Sequence, residues 1–450
     1  ASLCVINRAV TVTLPFIDFG VSDRRASMIS SAFDRSVTSQ LQNNSYHVLS
    51  PQPVPESANM NGSSSAKTEG GSYGARRSLY SPSTWAILDM KDIIYTRTKT
   101  LFWDRAISET TTPTSAPVDE YEKPDGLLDI DINRIVVNSY KTVKDTLDFQ
   151  QKVDSSVFGQ LNKHLRNWDD RYLRRSFVHM SDAGQARAFF VRFQGEGVDD
   201  HGGPYRAALH AAAGEEVADF LELLVPCANG QSEGFQNRDK VVFNTSKPIA
   251  TMQPLFVFFG KLLALSCRHS VQIPLSLPGS VWKALAGEAL TSSDVKAVDT
   301  HTTNALERFV EGGAGSSAEC ELMEQMLLCQ EGGGVGTGKT TVSPKQAHRL
   351  LDLATASAAG TGALQRFQDI FEHLHLMSQK VGICSLHRGL GASVPTELFP
   401  IFTATELEEL FCGAAIVDSA VLKQATEYDG VSVDDPHIVL FWEALEVMDC

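Results

Sequence analysis

A chain of 450 residues is long enough for two or three domains, and an apolar fraction of 43% supplies a sizeable core, which excludes wholesale disorder. The formal net charge of −15 has the wrong sign for phosphate backbones or anionic bilayers, so neither nucleic acid nor a membrane is expected as a partner. Eight cysteines (Cys4, Cys227, Cys267, Cys320, Cys329, Cys384, Cys412 and Cys450) lack any CxxC pair or zinc-ligand spacing, which points to a reducing compartment, cytosol or nucleus, with no metal or cofactor.

Residues 1–42 combine an apolar stretch, Val10 to Phe19, with polar surroundings and read as the tail of an upstream domain. With Ala at position 1, the sequence is expected to be a piece of a longer protein. Residues 43–79 are rich in Ser, Asn, Gly and Pro; such a stretch buries too little apolar area to offset its ordering entropy and reads as a disordered linker. Residues 80–180 read as a helical lead-in. Trp85, Leu88, Ile93, Ile94, Leu101 and Phe102 recur at roughly helical period until TTTPTSAP (110–117) interrupts them. DIDINRIVVNSY (129–140) looks strand-like through its clustered β-branched residues, and SSVFGQLNKHLRN (155–167) returns to helical spacing.

The run AFFVRF, Ala188 to Phe193, reads as a short buried strand entering a turn rich in Gly and Asp. Residues 204–225 and 250–268 read as helices, the second apolar nearly all round, as in a helix buried at a domain's centre. Its apolar run, Pro254 to Leu265, is too short to span a bilayer and contains Lys261. A third helical block covers Leu364–Gln379, followed by the run Glu406–Phe411 and a last helix around Phe441–Leu445. These proportions give an α+β class, mostly helical, behind a flexible N-terminal region.

Three ordered segments resemble the HECT family of ubiquitin ligases. FVRFQGEGVDDHGGPYRAAL (190–209) is similar to that family's strand–turn–helix signature, carried here by Gly195, Glu196, Asp199, Gly202, Gly203 and Arg206. In physical terms Gly202 and Gly203 permit backbone angles closed to other residues, Asp199 or Asp200 can accept from turn amides, and Pro204 suits a first helical turn. Residues 241–285 resemble the family's core helix and the Pro-punctuated strand after it. The third segment, 394–445, contains ELEELFCG, LKQATEYDG and HIVLFWEAL with Trp442, and resembles the block that closes the family's N-terminal lobe. SSVFGQL resembles the lead-in of the large HERC group.

The resemblance implies an N-terminal lobe over 181–450 with a small inserted subdomain at 294–345 that docks a ubiquitin-conjugating enzyme. Conjugating enzyme and ubiquitin are thus the implied partners. Leu306 and Phe309, spaced i and i+3, either present an apolar ridge to that enzyme or pack their own subdomain. The family's catalytic cysteine follows a Thr-His pair in a second lobe, expected beyond Cys450, so no catalytic residue is assigned here. The alternative within the same resemblance is a degenerate lobe that serves protein interaction alone.

GGVGTGKT (333–340) fits the P-loop pattern GxxxxGK[ST]. The acidic, helix-patterned ELMEQMLLCQEGG precedes it and Pro344 follows, whereas a phosphate loop needs a strand before and a helix after. It is read as a glycine-rich loop of the lobe, with a P-loop nucleotide-binding protein as the further alternative from another class. Cys384 and His387 (ICSLHRG) lack an identifiable oxyanion donor or orienting carboxylate, and His387 is read as a surface or capping residue.

Overall fold

The computed structural model describes residue 7 and residues 87–115, 124, 126–178, 184–197, 200–231, 233–311, 361–414 and 419–448. Leu306 and Phe309 are described in their backbone alone, and Asp199, 312–345 and the P-loop-like stretch lie outside the described residues. The lead-in does not form one continuous helix. A short 3₁₀ turn, Lys91–Ile93, gives way to extended backbone at Ile94 and Tyr95 before α1 (Thr96–Glu109) begins. The threonine run then ends α1, where the Thr110 amide donates to Ala106 O.

The strand expected over 129–140 is confined to β1 (Asp129–Ile132); α2 (Arg134–Lys141) takes the rest. Asn133 decides the change. Its side chain accepts from the Val136 amide as a helix N-cap, while its own amide donates to Gln160 Oε1 at 2.8 Å. Local capping thus overrides the β preference of Ile135, Val136 and Val137. Two helices follow, α3 (Phe149–Ser155) and α4 (Val157–Leu165), opened by Asp148 and Ser156 as caps. β2 (Phe190–Phe193) pairs in parallel with β1, placing Asp129 opposite Phe190 and Ile132 opposite Phe193.

The helix expected over 204–225 is broken into α5 (Gly203–Leu209), a π-helical turn at His210–Glu215 and a last turn at Glu216–Asp219. Beyond it β3 (Leu224–Pro226) pairs antiparallel with β4 (Val241–Phe243). Glu216, in the last turn, is buried, and its carboxyl accepts the first amides of α4, from Val157 at 3.1 Å and Phe158 at 2.9 Å.

The core helix is α6 (Ile249–Arg268), and by length and composition alone it is long and apolar enough to cross a membrane. Most of its surface is instead buried by the rest of this chain, as expected of a central helix. The Pro-punctuated segment after it forms no ladder. Residues 271–278 carry no regular secondary structure and are held by separate bonds, among them Ile273 N to Phe411 O and Val241 N to Ser276 O, and Pro274 withdraws one donor. Next come α7 (Gly279–Leu285), α8 (Ser292–Lys296) and α9 (Thr300–Glu311).

α10 (Thr361–Leu390) runs well past the Gln379 boundary read from periodicity and crosses α6 at a pair of glycines. A Cβ at Gly260 would lie 2.2 Å from Leu386 O, and one at Gly389 would lie 2.0 Å from Val257 O. Backbone thus meets backbone. The chain closes with α11 (Ala404–Cys412), α12 (Ser419–Ala425) and α13 (Pro436–Met448). One hydrophobic cluster draws residues from Ile87 through Phe411, so residues read as lead-in and residues read as lobe share a core.

Candidate functional site

The strand–turn–helix segment is built around a carboxylate that the family signature did not single out. Asp200, buried, accepts from Val191 N at 2.9 Å with Oδ2 and from Gly202 N at 2.8 Å with Oδ1. The guanidinium of Arg187, also buried, lies 3.0 Å from Asp200 Oδ1 and 4.8 Å over the Phe190 ring. This carboxylate ties β2, the turn and the start of α5 together, and nothing about it is available to a ligand. Sequence reasoning left Asp199 and Asp200 interchangeable and missed Arg187, because a partner thirteen residues away carries no local signal.

Gly202 has φ +100°, and a Cβ there would meet the Gln185 side chain at 2.6 Å. Gly203 is different. It opens α5 with negative φ and open space at its Cβ position, so the demand expected of both glycines falls on Gly202 alone. Pro204 occupies the first turn of α5, and Arg206 is exposed on that helix. Gly195 (φ +83°) and Gly197 (φ +61°) shape an exposed turn between them. Glu196, at its tip, is hydrogen-bonded by Arg134 at the start of α2, and the Arg134 hydrogen bond holds its carboxyl below the usual value. Arg134 also lies 3.8 Å over the Phe193 ring.

Beneath α5 the Tyr205 hydroxyl bonds His269 Nδ1 at 2.8 Å, and His269 Nε2 bonds Arg175 O at 2.8 Å. A carbonyl can only accept, so Nε2 carries the proton and Nδ1 accepts from the hydroxyl. Burial lowers the His269 pKa to about 4, and burial raises Tyr205. The ring is therefore neutral and held in one tautomer, an anchor for the end of α6.

Four described cysteines, Cys227, Cys267, Cys384 and Cys412, are free thiols. Burial pushes all four up, Cys412 to about 11, the opposite of what a thiolate nucleophile requires. His387 is not at the surface. It is buried on α10 with its ring 6.2 Å from that of Phe399, which corrects the expected surface placement: this face of α10 packs into the core. Trp442 on α13 is buried, its Nε1 donating to Tyr428 Oη at 2.9 Å and its ring 5.7 Å from Lys423 Nζ. Leu306 and Phe309 share α9, one turn apart.

The family model described as HECT-domain (ubiquitin-transferase) matches residues 222–450, from the turn before β3 to the end of the chain. Mouse E3 ubiquitin-protein ligase HERC2 is 29% identical over 291 residues, 65% of this chain and 6% of that protein. Human probable E3 ubiquitin-protein ligase HECTD4 is 27% identical over 276 residues, 58% of this chain and 7% of its own. Mouse E3 ubiquitin-protein ligase HUWE1 is 21% identical over 334 residues, 72% of this chain and 7% of its own. This chain thus spans under a tenth of the length of these relatives. With a match over half its residues and the mostly helical α+β fold to carry it, the chain belongs to the HECT-domain (ubiquitin-transferase) family.

Proposed function

We propose that this chain is the part of a HECT-type ubiquitin ligase that recruits a ubiquitin-conjugating enzyme and holds it for transfer. The observation that carries this reading is the family match over 222–450, which takes in α6, α9, α10 and α13. In the reaction a ligase thiolate attacks the thioester between ubiquitin and the conjugating enzyme, releasing that enzyme's thiol. A substrate lysine amine then displaces the ligase thiol and forms the amide. The buried, raised thiols at Cys227, Cys267, Cys384 and Cys412 are unsuited to the first step, so the reading assigns them to packing.

The contribution of these residues is then binding and orientation, with α9 as the docking helix and Leu306 and Phe309 as its ridge. The test is a titration of this chain with a panel of conjugating enzymes. Binding of at least one member, weakened at least tenfold in Leu306→Ala/Phe309→Ala, is expected, since buried apolar anchors commonly contribute about 2 kcal/mol or more at such interfaces. No binding by any member would instead favour an interaction module without ligase function.

A further inference from the structure

α9 leaves the core through a polar clasp that the functional reading has not used. Asn229, on the 3₁₀ turn Ala228–Gln231 after β3, is 1% exposed. Its Oδ1 accepts from the first amide of α9, Thr300 N, at 2.7 Å. Its Nδ2 lies 3.0 Å from Ala297 O, 3.0 Å from Thr300 Oγ1 and 3.1 Å from Gln236 O. The Asn229 amide donates in turn to Val298 O at 3.0 Å. One side chain therefore binds both sides of the corner between α8 and α9.

Two neighbours complete the clasp. Asn237, at φ +58°, donates from Nδ2 to Ala297 O at 3.1 Å. Asp299, buried, accepts from Thr302 N at 3.1 Å, and its backbone carbonyl receives the Thr303 hydroxyl at 2.7 Å. Two amides of the first turn of α9, those of Thr300 and Thr302, are thus taken by side chains that belong to the core or to the corner. α9 also packs against α10, but the backbone carbonyls and amides of the corner need groups that hydrogen-bond them, and a buried amide side chain offers both a donor and an acceptor.

We infer that Asn229 is a positioning residue for conjugating-enzyme docking: it sets the direction in which α9 leaves the core. This rests on the reading of α9 as the docking helix. Phe309 stands nine residues beyond Thr300, about 14 Å along the helix axis at the usual rise, so a tilt of about 10° at the root moves the ridge by about 2 Å. Loss of the clasp spreads α9 over several directions, and affinity falls by the fraction of molecules still correctly aimed.

The test uses the full chain and a recombinant conjugating enzyme chosen for its binding to the wild type. Asn229→Ala is expected to weaken that binding about tenfold, the equivalent of losing one or two buried hydrogen bonds. Asn237→Gly keeps the positive φ, removes one donor and is expected to weaken binding about two- to threefold. Asn244→Ala is the control for a merely structural effect. Asn244, the residue after β4, is equally buried and polar: its Nδ2 donates to Glu222 O at 2.8 Å and its Oδ1 accepts from Ser246 N at 2.9 Å. It is expected to lower the melting temperature and leave affinity unchanged, and amide exchange at Thr300, Thr302 and Thr303 should accelerate only in the Asn229 and Asn237 variants.

Affinity unchanged in Asn229→Ala, while Leu306→Ala/Phe309→Ala abolishes binding, overturns this inference and leaves the docking reading intact. Equal weakening by Asn229→Ala and Asn244→Ala also overturns it, since the effect is then general destabilisation. Should Asn229→Ala fail to fold, Asn237→Gly decides: wild-type affinity and exchange in that variant overturn the inference. If Leu306→Ala/Phe309→Ala binds as the wild type does, the docking reading and this inference fall together.

Discussion

Asp200 shows how a single buried charge can organise a segment that carries no chemistry. Its carboxylate is shared between Arg187 and two backbone amides, so Asp200→Ala leaves a guanidinium buried without its counter-charge. A loss of about 3–5 kcal/mol is expected, read as the shift of the denaturant midpoint, whereas an exposed pair such as Arg105–Glu109 should contribute under about 1 kcal/mol. The turn glycines follow the same logic at Gly202 and not at Gly203: Gly203→Ala is expected to be near neutral, while Gly202→Ala forces Gln185 aside. The thiols offer a second measurement. Alkylation at pH 8 should spare Cys227, Cys267, Cys384 and Cys412 in the native chain and reach them only on denaturation, because burial suppresses their thiolates. Rapid labelling of any of the four in the folded state would refute their assignment to packing.

The crossing of α6 and α10 is a close contact of backbone on backbone, and glycine makes it possible. Gly260→Ala or Gly389→Ala places a methyl carbon where the opposing backbone already stands, so a loss of about 1–3 kcal/mol or more is expected in equilibrium unfolding. α1 is fastened to the same core by quite different means. Trp103 stacks on Phe399 and meets Phe402 edge-on, with ring centroids 6.1 Å and 6.0 Å away. Arg268, at the end of α6, donates to Ile107 O and to the Thr111 hydroxyl, both at 2.8 Å, and so caps the C-terminal turn of α1. At its other end, buried Lys99 pairs with Glu406 at 2.5 Å, and Glu406 also receives the Thr96 hydroxyl.

That last pair has a pH dependence of known sign. Burial alone would raise Glu406, but the hydrogen bonds from Lys99, the Thr403 amide and Thr96 outweigh it and hold the carboxyl below its ordinary value of 4.5. A depressed carboxylate stabilises the fold fully above its unfolded value and loses that contribution as pH falls through the folded one. Amide exchange in α1 should therefore quicken as pH drops below 4.5, once corrected for intrinsic rates, and Glu406→Gln should abolish that dependence. A pH-independent protection of α1 in the wild type would remove Glu406 as its acid-sensitive fastening.

At the scale of the whole molecule, the family match begins at residue 222, yet the hydrophobic cluster begins at Ile87. Phe158, Phe189, Val191, Tyr205 and Leu221 are all completely buried and all precede the matched region. A polypeptide restricted to 222–450 should consequently expose the face of α6 that the preceding residues cover, as Phe158 covers Phe258. It is expected to aggregate or to lack a cooperative melting transition, whereas one beginning before Ile87 should melt cooperatively. Cooperative unfolding of the shorter chain would show that α1 to α5 are dispensable to the core.

What the sequence determined by itself is whatever local pattern and motif can carry. The apolar circumference of α6 announced a central helix, the short apolar run AFFVRF a buried strand, and the ordered segments from Gly195 to Trp442 the family. Tertiary structure decided the rest, since it depends on groups far apart in the chain. Asn133 turned a β-branched run into a helix partly through a bond to Gln160, and α10 continued through Gly382 and Gly389, the first against Phe243 and the second against α6. Asp200 rather than a neighbour became the organising carboxylate because Arg187 was brought to it. The direction of α9 was likewise beyond the reach of periodicity. It is set by Asn229, an amide 71 residues away from the helix amide it holds, and hydrogen bonds of that kind leave no repeat in a sequence.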